Sequence, residues 1–248
     1  MLSRKTDVLN VLSGIGWLAA FFLWGELFSR LFPDWNSIEV SVYANMVNIA
    51  FCLPVVLCLT RRRTSIGFVA PAVMSISGRC VFVIACWFCA SILGNIVALT
   101  NMDANLEAYL TSQIEDIRLF AFLSIVAAPV AEELLFRGIL YQYFRPVMGV
   151  AAGAVVSSLV FGASHGTVPH VLIGLFFGTA QCFLFEYSGQ IWWNILVHSL
   201  VNVLSFLASV YALDIGLFIS VPIILFLAIC AGLFALVLYP GEPVRMRS

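Results

Sequence analysis

Long apolar runs alternate with short polar connections along the whole chain. Runs of about 20 apolar residues are long enough to cross the hydrocarbon core of a bilayer as helices. Because these runs are continuously apolar and do not alternate with polar residues, they predict helices rather than strands. We therefore predict an all-α, polytopic membrane helix bundle with eight spans, at residues 8–30, 40–60, 80–100, 118–143, 147–166, 169–187, 191–212 and 215–238.

The polar stretches leave no room for a separate soluble domain, since the longest are residues 61–79 and 101–117. The first span is longer than the core of a signal peptide, so we expect it to remain as an anchor. We divide the chain into three parts: residues 1–117 with three spans and a polar loop, residues 118–212 as a four-span core, and residues 213–248 with the last span and a tail.

Basic residues collect in alternate connections, which predicts the orientation in the membrane. One side carries Arg4, Lys5, Arg61, Arg62, Arg63, Arg79, Arg145, Arg245 and Arg247. The other side carries mainly acidic residues, namely Asp34, Glu39, Asp103, Glu107, Glu115, Asp116 and Asp214, with Arg118 at the membrane edge. Because basic loops stay in the cytoplasm, both termini are predicted to be cytoplasmic.

The composition is typical of an integral membrane protein. Hydrophobic residues make up 62% of the chain, the mean hydropathy is +1.04, and charged residues make up 10%, against about 25% in soluble domains. This excludes a soluble globular enzyme and a disordered chain. The net charge of −1 gives no basic field that would attract a nucleic acid.

Cysteine usage does not indicate a disulfide framework. The seven cysteines all fall in apolar stretches, where a free thiol packs as a small hydrophobe: Cys52, Cys58, Cys80, Cys86, Cys89, Cys182 and Cys230. Cys86 and Cys89 have the C-x-x-C spacing of redox pairs. A membrane thiol oxidoreductase is therefore an alternative, although core packing explains the pair more simply.

The fourth span contains three ionisable side chains, and such residues inside a membrane are a functional hypothesis by default. Glu133 and Arg137 lie four positions apart and can pair on one face of a helix. Glu132 is rotated by about 100° from that face, so a structural ion pair leaves it without a partner. Pro129 is expected to free the carbonyl of Ile125 and bend the helix beside the carboxylates.

Polar side chains in later spans converge on the same depth. His198 and Asn202 lie on one helix face, and His165 closes the fifth span, whereas His170 is expected at the interface. Measured from the predicted cytoplasmic ends, Glu132 lies roughly 20 Å deep, His165 roughly 24 Å, His198 about 12 Å and Asn202 about 18 Å. This predicts one polar site near the middle of the membrane.

These residue types suit hydrolysis by an activated water. A buried carboxylate can act as a general base with an imidazole that orients the water. A second imidazole and a carboxamide can donate hydrogen bonds to the developing oxyanion. Zinc held by Glu132, His165 and His198 is the alternative. The first route is favoured because only that route uses Asn202, and it requires no cofactor.

Small-residue spacing predicts close helix packing late in the chain. The G-x-x-x-G pairs are Gly149–Gly153, Gly162–Gly166 and Gly174–Gly178. Such pairs let helix backbones approach one another. We expect them to hold the fifth and sixth spans rigidly beside the fourth.

Three motifs resemble those of the CPBP family of intramembrane proteases, which includes the type II CAAX prenyl endopeptidases and the ABI or lysostaphin resistance protein A-like proteins. They are Glu132-Glu133-x-x-x-Arg137, Phe161-x-x-x-His165 and His198-x-x-x-Asn202. The resemblance implies that Glu132 and His165 activate the water and that His198 and Asn202 form the oxyanion site. It implies supporting or substrate-positioning roles for Glu133 and Arg137.

The resemblance also implies a class of substrate, namely a membrane-anchored protein or peptide, including prenylated proteins. It suggests a compact prokaryotic member in the plasma membrane. The competing hypothesis is a non-catalytic relative that acts as a scaffold, a bacteriocin-immunity factor or a regulator. A secondary transporter is disfavoured because the eight spans show no internal repeat. The sequence makes no prediction of the oligomeric state.

Overall fold

The computed structural model describes residues 2–65, 117–166 and 168–210. Within these ranges the chain forms helices and no strand, which confirms the predicted all-α bundle. The helices are α1 (Leu2–Leu31), α2 (Ser37–Ser65), α3 (Ile117–Met148), α4 (Val150–Ala163), α5 (Val168–Ser188) and α6 (Ile191–Val210). The predicted spans at residues 80–100 and 215–238 lie outside the described residues, as do Cys86 and Cys89.

Three of the described helices are long and apolar enough to cross a membrane, namely Lys5–Leu31, Ser37–Thr60 and Ile117–Met148. Shorter apolar helices cover Val150–Ala163, His170–Glu186 and Ile191–Val203. Large apolar side chains face outward from these helices, as with Leu9 at 62% exposed and Phe176 at 57%. An exposed apolar surface of this kind suits lipid rather than water, so the chain is a membrane protein.

Helix α3 contains two π turns, in which an N–H bonds the carbonyl five residues earlier. The first covers Leu123–Ala127 and the second covers Phe136–Leu140. They flank the two glutamates, and π turns of this kind are frequent at functional sites. The sequence predicts a disturbance here only through Pro129, so the second turn is a structural finding without a sequence signal.

Several of the predicted small residues allow close helix contacts. A Cβ at Gly174 would lie 2.3 Å from the Gly162 Cα, so α4 and α5 touch through their backbones. A Cβ at Gly153 would lie 3.1 Å from the Arg145 Cα at the end of α3. These contacts confirm the predicted packing. Gly149 and Gly166 have a different function, since φ values of 82° and 77° place them in turns that favour glycine.

Polar contacts join the remaining helices. Glu186 at the end of α5 accepts hydrogen bonds from Tyr141 and Arg145 at the end of α3. Gln181 and Asn194, both fully buried, exchange side-chain to backbone hydrogen bonds between α5 and α6. The carboxyl ends of α3 and α5 therefore lie at the same end of the bundle, as alternating spans require.

Helix α2 packs directly against the second π turn of α3. A Cβ at Gly138 would lie 2.5 Å from the Val56 Cγ2, so only glycine admits this contact without a shift. Asn48 of α2 donates to the Phe21 carbonyl of α1 at 3.1 Å. The first two helices thus support the segment of α3 that carries the glutamates.

Candidate active site

A buried ion pair lies at the centre of the described bundle. Arg137 Nη1 donates to Glu133 Oε1 at 2.9 Å, and both side chains are 0% exposed. This is the pair that the four-residue spacing predicts. Breaking a pair at such depth is costly, because it would leave one charge without compensation in a low-dielectric environment.

The same carboxylate oxygen holds His198 from α6. The His198 Nδ1 lies 2.8 Å from Glu133 Oε1. Because a carboxylate only accepts, Nδ1 carries the proton and Nε2 is the ring nitrogen left for other partners. The sequence predicts Glu133 as the partner of Arg137 alone, and the second partnership joins residues that are 65 positions apart.

The free ring nitrogen of His198 faces Glu132. The distance from His198 Nε2 to Glu132 Oε2 is 3.7 Å, which is longer than a hydrogen bond. The Glu132 side chain is 19% exposed, against 0% for Glu133. The two neighbouring glutamates therefore occupy different environments, with one locked in the core and the other accessible at its edge.

Aromatic rings enclose this cluster. Arg137 lies over the ring of Phe161 with its Cζ 4.5 Å from the centroid, a cation–π geometry. The edges of Phe161 and Phe177 meet His198 at 5.9 Å and 5.2 Å between ring centroids. Phe161 belongs to the second motif, whereas Phe177 is one of many phenylalanines in apolar helices and has no sequence signal.

Gly178 of α5 provides the space that the Arg137 guanidinium occupies. A Cβ at that position would lie 2.9 Å from Arg137 Nη2 and 2.8 Å from both Cβ and Oγ of Ser158. Real Cβ atoms essentially never approach so closely. The last glycine of the predicted repeats therefore contributes to the site as well as to helix packing.

We expect Gly178→Ala to destabilise the folded protein by about 1–3 kcal/mol, as overpacking of a tight core does. Gly16→Ala is the matched control, because Gly16 is also helical and has no atom within 4 Å of the position that a Cβ would take. That change should leave stability equal or slightly higher, since alanine is the better helix former. Thermal unfolding in detergent measures the stability of both variants. Equal melting temperatures of Gly178→Ala and Gly16→Ala would contradict the prediction.

His165 lies in the turn that follows the carboxyl end of α4 and is more exposed than His198. Its Nδ1 lies 3.0 Å from the Phe161 carbonyl, so Nδ1 is the donor in that contact and Nε2 is the ring nitrogen left for other partners. Its ring also packs edge-on to Phe161 at 5.0 Å and stacks on His170 at 5.6 Å. Both candidate imidazoles thus lie against the same phenyl ring.

Asn202 reaches back to the first π turn. Its Nδ2 donates to the carbonyl of Ser124 at 2.7 Å. The sequence places the freed carbonyl at Ile125, but the carbonyl that Asn202 takes is that of the preceding residue. The difference arises because the π turn shifts the hydrogen-bond register of α3 by one residue.

The three candidate zinc ligands are not gathered into one coordination sphere. In the part of the chain that the structure describes, no group of three His, Cys, Asp or Glu side chains could hold a metal ion. This includes Glu132, His165 and His198. The donor set therefore does not fit a preformed zinc site.

The arrangement can support acid–base chemistry. Glu132 is an accessible carboxylate, and His198 next to it is oriented by a buried carboxylate through its other nitrogen. General acid–base catalysis requires a base that can reach the proton it removes, and the partial exposure of Glu132 gives its carboxylate such access. Asn202 follows His198 by one helical turn, and His165 contacts the same Phe161 ring as His198.

Comparisons with known proteins agree with the motif resemblance. Residues 115–204 match the family model described as type II CAAX prenyl endopeptidase Rce1-like. That segment contains all six candidate site residues. The chain is also 24% identical over 179 residues to a Bacillus subtilis (strain 168) protein named "Putative membrane peptidase YdiL", covering 68% of this chain and 72% of that protein. No solved structure gives a significant match.

Proposed function

We propose, from the match of residues 115–204 to the Rce1-like family, that this chain is an intramembrane endopeptidase that hydrolyses a peptide bond of a membrane-anchored protein or peptide. The observation that carries the proposal is the placement of Glu132 Oε2 3.7 Å from His198 Nε2. A fully buried ion pair holds that imidazole in place. A purely structural ion-pair cluster would not need the second, partly exposed glutamate.

In the proposed reaction, Glu132 takes a proton from a water molecule, with His165 orienting that water through its free Nε2. The resulting hydroxide attacks the carbonyl carbon of the scissile bond. His198 Nε2 in its protonated form and an N–H of Asn202 donate hydrogen bonds to the oxyanion. The tetrahedral intermediate collapses as the C–N bond breaks, and the proton held by Glu132 passes to the leaving amine.

Glu133 is a positioning residue in this scheme. It fixes the ring plane of His198 through Nδ1 at 2.8 Å, so that Nε2 faces the reaction space. Arg137 in turn holds Glu133, and the Phe161 ring supports Arg137. Preorganised donors of this kind are effective because they do not have to reorient as charge develops.

The route requires no cofactor, and the proposed location is the plasma membrane with both termini in the cytoplasm. The substrates include proteins that carry a prenyl group near the carboxyl terminus. In this proposal the shared end of α3 and α5, marked by Arg145 and Glu186, faces the cytoplasm, because Arg145 belongs to the basic connections.

The test uses the full chain in liposomes with two quenched peptide probes of equal sequence, one anchored by a farnesylated cysteine and one by an amino-terminal myristoyl group. We expect His165→Ala to lower the cleavage rate by about 10²–10⁴-fold, the usual contribution of a residue that assists proton transfer. His170→Ala is the matched control, because that ring stacks on His165 without belonging to the proposed site, and it should retain the rate.

Full activity of His165→Ala would remove that residue from the mechanism. Zinc content and chelation separate the two chemical routes. Activity of protein with negligible zinc supports activation of water by Glu132 and His165. Activity that is lost on chelation and restored by zinc would favour the zinc route.

A further inference from the structure

The first π turn of α3 leaves one carbonyl without a main-chain donor. The N–H of Ala128 bonds the carbonyl of Leu123, five residues earlier. The next nitrogen along the chain, which would reach Ser124 in the same register, belongs to Pro129 and has no hydrogen. Within a bilayer a carbonyl without a donor is costly even where it is only partly buried in the protein, so the Ser124 carbonyl needs another partner.

The partner comes from the helix that carries the candidate oxyanion residues. Asn202 Nδ2 donates to the Ser124 carbonyl at 2.7 Å. One turn earlier on α6, His198 contacts the glutamates of α3. Helix α6 is therefore fastened antiparallel to α3 at two levels, once through the hydrogen bond of His198 to Glu133 and once through this carbonyl.

We propose that Pro129 is a positioning residue for Asn202, because by withholding an N–H it reserves the Ser124 carbonyl for the Asn202 side chain. An amide nitrogen carries two hydrogens, and the bond to Ser124 uses one of them. The orientation of the amide plane then determines the direction of the second hydrogen. The catalytic consequence rests on the proposed function, in which that second N–H faces the oxyanion, whereas the positioning itself does not.

The test is a double-mutant cycle between Pro129→Ala and Asn202→Ala, followed by thermal unfolding in detergent. Alanine at position 129 supplies an N–H that can bond the Ser124 carbonyl, so this carbonyl keeps a donor when the Asn202 amide is removed. We expect Asn202→Ala to lower the Tm clearly in the wild-type background and hardly at all in the Pro129→Ala background. Substitutions that affect the same hydrogen bond are expected to have non-additive effects on stability in this way.

Pro54→Ala is the matched control for removing a proline from a helix, since Pro54 lies inside α2 and is exposed. In that background the Tm shift caused by Asn202→Ala should equal the shift in the wild type. If the shifts of Pro129→Ala and Asn202→Ala were additive, the positioning role would be overturned whatever the activity. A general structural role of Pro129 would also give additive shifts.

The cleavage rate gives a second readout. Asn202→Ala should lower kcat by roughly 10²–10³-fold, the usual effect of removing one oxyanion donor. Pro129→Ala should lower kcat by at least about 10-fold without raising KM, and the double variant should be no slower than Asn202→Ala. Coupled Tm shifts together with wild-type kcat in Asn202→Ala would support the positioning role and contradict the oxyanion role in the proposed function.

Discussion

Replacing Glu132 with glutamine is expected to lower kcat for peptide cleavage by about 10²–10⁴-fold, the range that general-base catalysis contributes. Glutamine keeps the shape and the hydrogen-bonding reach of the side chain but cannot accept the proton of water. KM should change little, since the prediction removes an interaction that is made in the transition state. The measurement is the steady-state rate in liposomes with the anchored probes.

Stability separates this effect from misfolding. The Glu132 side chain is 19% exposed and approaches His198 to 3.7 Å. The free energy of unfolding of Glu132→Gln should therefore lie within about 1 kcal/mol of the wild-type value. Glu26→Gln is the control, because Glu26 pairs with Arg30 on the exposed surface of α1. It should leave both the rate and the stability unchanged. A Glu132→Gln protein with half the wild-type rate or more would exclude Glu132 as the base.

The helices could be predicted from the sequence because their apolar runs are long and are ended by polar residues. The predicted span at 169–187 corresponds to Val168–Ser188, and the span at 40–60 to Ser37–Ser65. The span predicted at 118–143 continues to Met148. A helix that leaves the hydrocarbon core continues into polar residues at no cost to its own hydrogen bonds, so hydropathy predicts the span better than the helix end.

Pairs within one helix could also be predicted, as with Glu133 and Arg137, because helical geometry determines which residues share a face. Pairs between helices could not. The contact of Glu133 with His198 and that of Glu186 with Tyr141 depend on how the helices rotate and pack. The π turns could not be located either, because Pro129 indicates a disturbed helix without indicating the five-residue register at Leu123–Ala127 or at Phe136–Leu140.

The candidate site was predicted as one layer of four polar residues. The structure shows which of these four side chains approach one another and which are bonded to other groups. Glu132 and His198 lie near each other, and Asn202 is bonded to the carbonyl of Ser124, which lies earlier in α3. His165 is bonded to its own helix end and stacks on His170. Depth estimates from helix rise give no information on these lateral arrangements, which is why spacing alone leaves the zinc and the water routes open.

The largest effect on stability is expected from breaking the buried ion pair. Arg137→Met should destabilise the fold by about 3–5 kcal/mol, because it leaves the Glu133 carboxylate at 0% exposure without its cation. Arg30→Met is the matched control on α1, where the arginine side chain is 76% exposed, and it should cost at most about 1 kcal/mol. Reversible unfolding in mixed detergent and denaturant measures the difference.

The double variant Glu133→Leu with Arg137→Met distinguishes a structural role of this pair from a positioning role. Replacing both charges with apolar residues of similar volume should restore most of the lost stability, since the desolvation cost disappears together with the attraction. The cleavage rate of the double variant should nevertheless remain far below that of the wild type, because His198 no longer has the acceptor that fixes its Nδ1. Recovery of both stability and activity in the double variant would mean that the pair only holds the helices together. A single Arg137→Met variant as stable as Arg30→Met would show that the buried Glu133 carboxylate does not need Arg137 as its cation.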